Sequence, residues 1–125
     1  MIMNLIYKEE VYKIIGLCME VHKILGRGFN EIVYKDALEI EFNFNKIGFE
    51  REKPYDIIYK NTKLRRKYIA DFVIMDKIIL EAKAIESLES THLKQTLNYL
   101  AVSQLKLGLL INFGSNSLEY KRIIL

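Results

Sequence analysis

The sequence predicts one α+β domain spanning 1–125, with its elements in the order ααβββαβ(β). Three observations carry that reading. The first third holds two apolar stripes at helical spacing, and the middle third is rich in β-branched and aromatic residues broken by turn-prone pairs. The last third sets one more helical stripe before a short, almost wholly apolar run. With 125 residues, 50% of them hydrophobic, the chain has apolar material for one core and too little length for two.

Val11, Ile14, Ile15, Cys18, Val21 and Leu25 recur at helical spacing, so residues from about 7 to 25 form an amphipathic helix that Gly26 and Gly28 end. Asn30 can cap a second helix with Glu31 in its first turn, where the helix dipole favours a carboxylate. That helix runs through Val33, Ala37, Leu38 and Phe44 and stops near Gly48. Strands follow at 51 to 60, 63 to 75 and 78 to 85, forming an antiparallel meander with turns at Lys60-Asn61 and near Asp76-Lys77. Pro54, the only proline, belongs at a strand entrance or edge. Ser90 can cap a third helix over 91 to 104, striped by Leu93, Leu97, Leu100 and Ala101. Leu107 to Phe113 reads as a strand buried on both faces, and Leu118 to Ile124 as a last strand.

A charged fraction of 28% with mean hydropathy of +0.03 argues against disorder, and no stretch reaches the ~18 unbroken apolar residues of a membrane helix. The opening Met1 to Ile6 is apolar but brief, is followed by Glu9 and Glu10, and shows no small-residue cleavage site. No secretory leader is expected, and the protein is expected in the cytoplasm. A single cysteine makes no internal disulfide; Cys18 lies on the apolar face of the first helix, where an inert core thiol is the natural reading. The net charge of +3 is compatible with nucleic acid without pointing to it.

Chemistry gathers where charges interrupt apolar strands. In Ile79-Leu80-Glu81-Ala82-Lys83-Ala84, Glu81 and Lys83 are two apart and share one face of a strand. Burying them costs several kcal/mol unless they are paired or the carboxylate holds a metal. Asp71 interrupts the preceding strand, Tyr68 to Ile74. If the turn leaves an odd number of residues unpaired, such as Met75, Asp76 and Lys77, Asp71 faces Glu81 on the Lys83 side; a two-residue turn puts it opposite. Two adjacent carboxylates repel unless a cation joins them, and hard oxygen ligands suit Mg²⁺ or Mn²⁺, whereas zinc would want a Cys/His set. Such an ion activates water and polarises a phosphoryl oxygen, with Lys83 placed to orient the water or stabilise charge.

His92, Gln95 and Tyr99 form a polar stripe on the third helix that can line the same cleft, and Glu31 is a further acid at a helix start. Lys63, Arg65, Arg66 and Lys67 cluster before Asp71 and can meet phosphates, though a solvated sheet edge is the slightly better account of them. Each feature has a bland reading: an E-x-K triplet is usually a solvated pair, and a helix-start glutamate usually serves the dipole. Two acids inside apolar strands, a lysine and a polar helix stripe together outweigh those readings.

Together with Gly28-Phe29-Asn30-Glu31-Ile32-Val33-Tyr34, these residues resemble the bacterial GxxExxY protein family, a branch of the PD-(D/E)xK nuclease-like superfamily. The resemblance covers nearly the whole chain. Its markers are Gly28, Glu31 and Tyr34, Ala70-Asp71, Glu81 to Ala84, His92, Gln95, Asn98-Tyr99-Leu100, and Gly108 to Gly114. It implies a restriction-endonuclease-like core, a mixed sheet flanked by helices, in which Asp71, Glu81 and the backbone carbonyl of Ala82 ligate Mg²⁺ (or Mn²⁺). Lys83 would assist the attacking water, Glu31 would be the acid of the first helix, acting through water, and Gln95 the polar helix residue that follows the E-x-K strand. Tyr34, Arg65, Arg66, Lys67, His92 and Tyr99 are the expected substrate contacts. Ala70 stands where the name motif has proline, which is not a ligand.

The expected function is Mg²⁺-dependent hydrolysis of DNA, with a non-catalytic nucleic-acid- or protein-binding module on the same fold as the alternative. A single such core cuts one strand at a time, so double-strand cutting would call for a two-fold homodimer.

Overall fold

A computed structural model describes residues 5–125, so the opening Met1–Asn4 lies outside the described residues. The elements are α1 (Lys8–Leu25), α2 (Glu31–Phe44), β1 (Phe49–Tyr59), β2 (Thr62–Ile74), β3 (Ile78–Lys83), α3 (Ser90–Ser103), β4 (Leu107–Asn112) and β5 (Glu119–Ile123). The predicted order holds, the final strand included. The sheet runs β1-β2-β3-β4-β5. Only β3 and β4 are parallel, because α3 carries the chain back to the starting end of the sheet between them.

Helices cover both faces. One core cluster joins α1 and α2 to Phe72, Ile74, Leu80, Ala82, Leu109 and Ile111. The other joins α3 to Val73, Ile79 and Leu110. This sandwiching explains why β4 is buried throughout, as its apolar run requires. A Cβ on Gly108 would come within 2.7 Å of Thr96 Cγ2, so the bare glycine lets α3 pack closely on β4. Asn112 is fully buried and ties the segment after β3 to β4: its amide exchanges hydrogen bonds with Ile85 N–H (3.0 Å) and carbonyl (2.9 Å) and donates to Glu119 (2.7 Å). Among the described residues, no helix is long and apolar enough to cross a membrane.

Four local expectations are corrected. Asn30 sits at the N-cap of α2 in extended backbone, but its side chain makes no capping bond. The inward face of α2 is Tyr34, Lys35, Leu38 and Phe42, whereas Phe44 is 85% exposed. The cap of α3 is Glu89 rather than Ser90; the Glu89 N–H donates to His92 Nδ1 at 2.9 Å in a capping-box arrangement. On α3, Thr96 and Leu100 are the buried residues and Ala101 faces out.

The β1–β2 hairpin is longer than the sheet it joins. β3 pairs with β2 only over Phe72 to Ile74, so Tyr55–Tyr59 and Thr62–Tyr68 extend as a two-stranded arm. Its turn residues Lys60 (φ 48°) and Asn61 (φ 64°) are both left-handed, as a two-residue hairpin turn demands. Pro54 is exposed on the edge strand β1, where a missing N–H is tolerated.

Candidate active site

The turn between β2 and β3 leaves Met75, Asp76 and Lys77 unpaired between Ile74 and Ile78, the odd number that brings Asp71 and Glu81 across from one another. The backbone ladder stops one step short of them, at Phe72–Leu80. Side chains take over there. The Asp71 N–H donates to Glu81 Oε2 at 2.8 Å, and the Ala82 N–H donates to Asp71 Oδ2 at 2.8 Å. The Ala82 carbonyl leaves β3 on the same edge as its N–H and so is directed into the same gap.

The neighbouring edge is irregular too. Glu52 takes φ 56° and drops out of the ladder between Arg51–Phe72 and Lys53–Ala70. Ala70 and Phe72, two apart in a strand, would ordinarily share a face, yet they pack in opposite cores. The break in the pleat frees the Asp71 carboxylate to reach the α2 side, where its Oδ1 accepts from Lys35 Nζ at 2.9 Å. Lys35 also pairs with Glu52. Burial disfavours the Lys35 charge, but hydrogen bonds to Glu52 and Asp71 outweigh it and raise its pKa above that of an ordinary lysine.

Glu81 is 4% exposed. Burial, and then the Asp71 carboxylate, push its pKa up to about 8, against opposing pulls from the Asp71 N–H, Lys83 and Lys35. Lys83, half-buried, donates to Gln95 Oε1 at 3.4 Å. Tyr99 is raised to about 12 by burial and then by the Glu81 and Asp71 charges, and its ring meets Tyr68 edge-on with centroids 5.5 Å apart. The α3 stripe therefore does border the acids through Gln95 and Tyr99.

The fold thus gathers Asp71, Glu81, Ala82, Lys83, Gln95 and Tyr99. Glu31 lies one turn before Lys35 on α2, and among the described residues no three His, Cys, Asp or Glu side chains group closely enough to hold a metal by themselves. Glu31 therefore does not complete a three-acid set. The remaining donors still fit a hard divalent ion, since two carboxylates and a backbone carbonyl converge and the buried Glu81 needs a cation or a proton.

Tyr34, expected at the substrate, is instead a core strut with 0% exposure. Its hydroxyl donates to the Gly26 carbonyl at 2.6 Å and accepts from the Phe29 N–H at 3.3 Å, and its ring stacks on Phe113 at 4.7 Å. The role of its OH is to close the loop between α1 and α2. His92 spends Nδ1 on the α3 cap. Arg65, Arg66 and Lys67 are exposed on the arm. Arg65 and Arg66 lie in a bulge of β2, where Leu64, Arg65 and Arg66 stand opposite the single Ile57 between the Asp56–Lys67 and Ile58–Lys63 pairs. Lys35 and Glu52 were not foreseen from the sequence.

Residues 8–123 match the family model described as PD-(D/E)XK nuclease superfamily. No curated protein matches the chain. Among solved structures, it is similar to one reported as "Crystal structure of SSO0001", with a TM-score of 0.58 and 24% identity over 76% of this chain and 50% of that one. The likeness concerns the fold, and this chain spans half the length of that protein.

Proposed function

The chain belongs to the PD-(D/E)XK nuclease superfamily, and from that premise we propose that it is a Mg²⁺- or Mn²⁺-dependent nuclease of DNA, of the GxxExxY branch, with 1–125 as one catalytic unit. The observation that carries the reading is the pair of carboxylates, Asp71 and Glu81, facing each other where β2 and β3 part, with Lys83 two residues further along β3. Asp71, Glu81 and the Ala82 carbonyl would hold the ion, with Glu31 reaching it only through water. A divalent ion there supplies Lewis-acid polarisation of the phosphate and an acidified water.

The chain's own residues do the rest. Lys83 is positioned by Gln95 to orient the attacking water and to offset charge that develops on the phosphoryl oxygens. Tyr99 stands near enough to the acids for their charges to add to burial in raising its hydroxyl's pKa. Arg65, Arg66 and Lys67 on the exposed arm, with His92, would be the outer contacts to a phosphate backbone. Cutting both strands would take a two-fold pair of chains.

The test is incubation of the purified protein with supercoiled, single-stranded and branched DNA in Mg²⁺ or Mn²⁺. Cutting that falls by about 100-fold or more in Glu81→Ala and Lys83→Ala is expected. No cutting, or cutting that both variants retain, refutes the reading. A non-catalytic binding module is the second reading. One observation favours it: Asp71 already has a cationic partner in Lys35.

A further inference from the structure

Lys35 is a charged side chain of this site that cleavage leaves without a task. It is 8% exposed, on a helix face otherwise made of Tyr34, Leu38 and Phe42. Lysine is rarely buried to this degree unless paired, because removing an ammonium from water costs several kcal/mol. Here the pairing is double: Nζ donates to Asp71 Oδ1 at 2.9 Å and to Glu52. The two acceptors differ. Asp71 lies in the gap between β2 and β3 with its other oxygen on the Ala82 N–H, whereas the Glu52 side chain is 48% exposed at the rim. Glu52 also holds a left-handed backbone, φ 56°, a conformation that a side-chain-bearing residue adopts at a penalty unless its surroundings impose it. That conformation interrupts the β1–β2 ladder opposite Asp71, where the Lys35 ammonium sits between the two carboxylates.

From this arrangement we infer that Lys35 is a resident counter-cation, and that divalent-ion binding at Asp71 is an exchange in which Lys35 releases Asp71 and keeps Glu52. Lys35 and Glu52 are then positioning residues that set the site's affinity for metal and keep the metal-free acids from repelling one another. The inference rests on the metal-site reading above but does not depend on cleavage.

Calorimetric titration of the full chain with Mn²⁺, alongside melting curves, separates exchange from a merely structural role. Lys35→Met removes the competing cation at nearly constant length. It is expected to bind Mn²⁺ about tenfold or more tightly than wild type, to melt lower in EDTA, and to regain the wild-type melting temperature at saturating Mn²⁺. Glu52→Gln, at the exposed rim, removes the charge that retains Lys35 after exchange and is expected to weaken Mn²⁺ binding several-fold. Damage to the fold could only weaken binding, so tighter binding by Lys35→Met is diagnostic. If wild type binds no Mn²⁺ while Lys35→Met does, the exchange is supported in its extreme form. Equal or weaker binding by Lys35→Met, equal or tighter binding by Glu52→Gln, or no binding by either protein overturns it. DNA cutting is scored separately: exchange without cutting sinks the nuclease reading alone, and cutting without tighter binding by Lys35→Met sinks this one alone.

Discussion

Replacing Glu81 by glutamine probes the site through stability. Glu81 is 4% exposed, and its carboxyl titrates near 8 when folded against an ordinary 4.5. A carboxyl whose folded pKa is raised holds its proton more tightly in the native state. Its stabilising contribution is therefore complete below 4.5 and is lost as pH climbs through the window from 4.5 to about 8. Each pH step within that window is worth roughly 1.4 kcal/mol, so the loss at pH 7 is about 3 kcal/mol. Against a typical total of 5–15 kcal/mol, that is roughly 10 °C in melting temperature for a chain of this size. Glutamine keeps an oxygen for the Asp71 N–H and has no charge to lose. In EDTA, the melting temperature of wild type should fall relative to Glu81→Gln as pH rises from 5 to 8, and the gap should level off above that. Mg²⁺ or Mn²⁺, standing in for the proton, should close the gap in wild type and do nothing for the variant. Parallel pH curves for the two proteins, or a metal effect as large in Glu81→Gln as in wild type, would refute the reasoning.

Tyr34→Phe keeps the stacking on Phe113 but loses two hydrogen bonds; denaturant unfolding should show a loss of about 1–2 kcal/mol, with Mn²⁺ affinity unchanged. Weaker DNA binding without that loss would make Tyr34 a substrate contact after all. Gly114→Ala sets a Cβ 2.3 Å from both the Ile85 nitrogen and oxygen, where only backbone could yield, and should destabilise by ~3 kcal/mol or more. Gly16→Ala, in open space on α1, should stabilise by up to about 1 kcal/mol in the same assay. On the arm, Arg65→Glu and Arg66→Glu should each weaken DNA binding and reduce the salt slope by about one charge, read by fluorescence anisotropy over a salt series. A salt slope unchanged in both would mean the arm does not meet the nucleic acid.

The meander, the doubly buried β4 and the Asp71–Glu81 juxtaposition were legible because each depends on spacing along the chain: alternation, apolar runs and the parity of one turn. The stripe chosen on α2 was not. Val33, Ala37 and Phe44 recur as regularly as Tyr34, Leu38 and Phe42, and tyrosine passes for a surface residue until its hydroxyl has a partner, which Gly26 supplies. The cap of α3 was displaced by one residue because a histidine three positions on does the work usually given to glutamate or glutamine.

Lys35 and Glu52 escaped for a different reason. Their meeting with Asp71 joins positions 17 and 36 apart through a break in β1 that no local pattern announces. A signal did exist, however. Counted from Leu38 and Phe42, position 35 falls at −3 and −7, inside the inward arc of α2 rather than beside it. A lysine inside an apolar arc raises the same question as an acid inside an apolar strand, namely which opposite charge lies within reach. That question singled out Asp71 and Glu81. Put to Lys35, it requires a carboxylate from the sheet that α2 covers. The acids that interrupt buried, apolar stretches of that sheet are Asp71 and Glu81, so charge balance narrows the partner of Lys35 to two neighbouring strands before any coordinates are known.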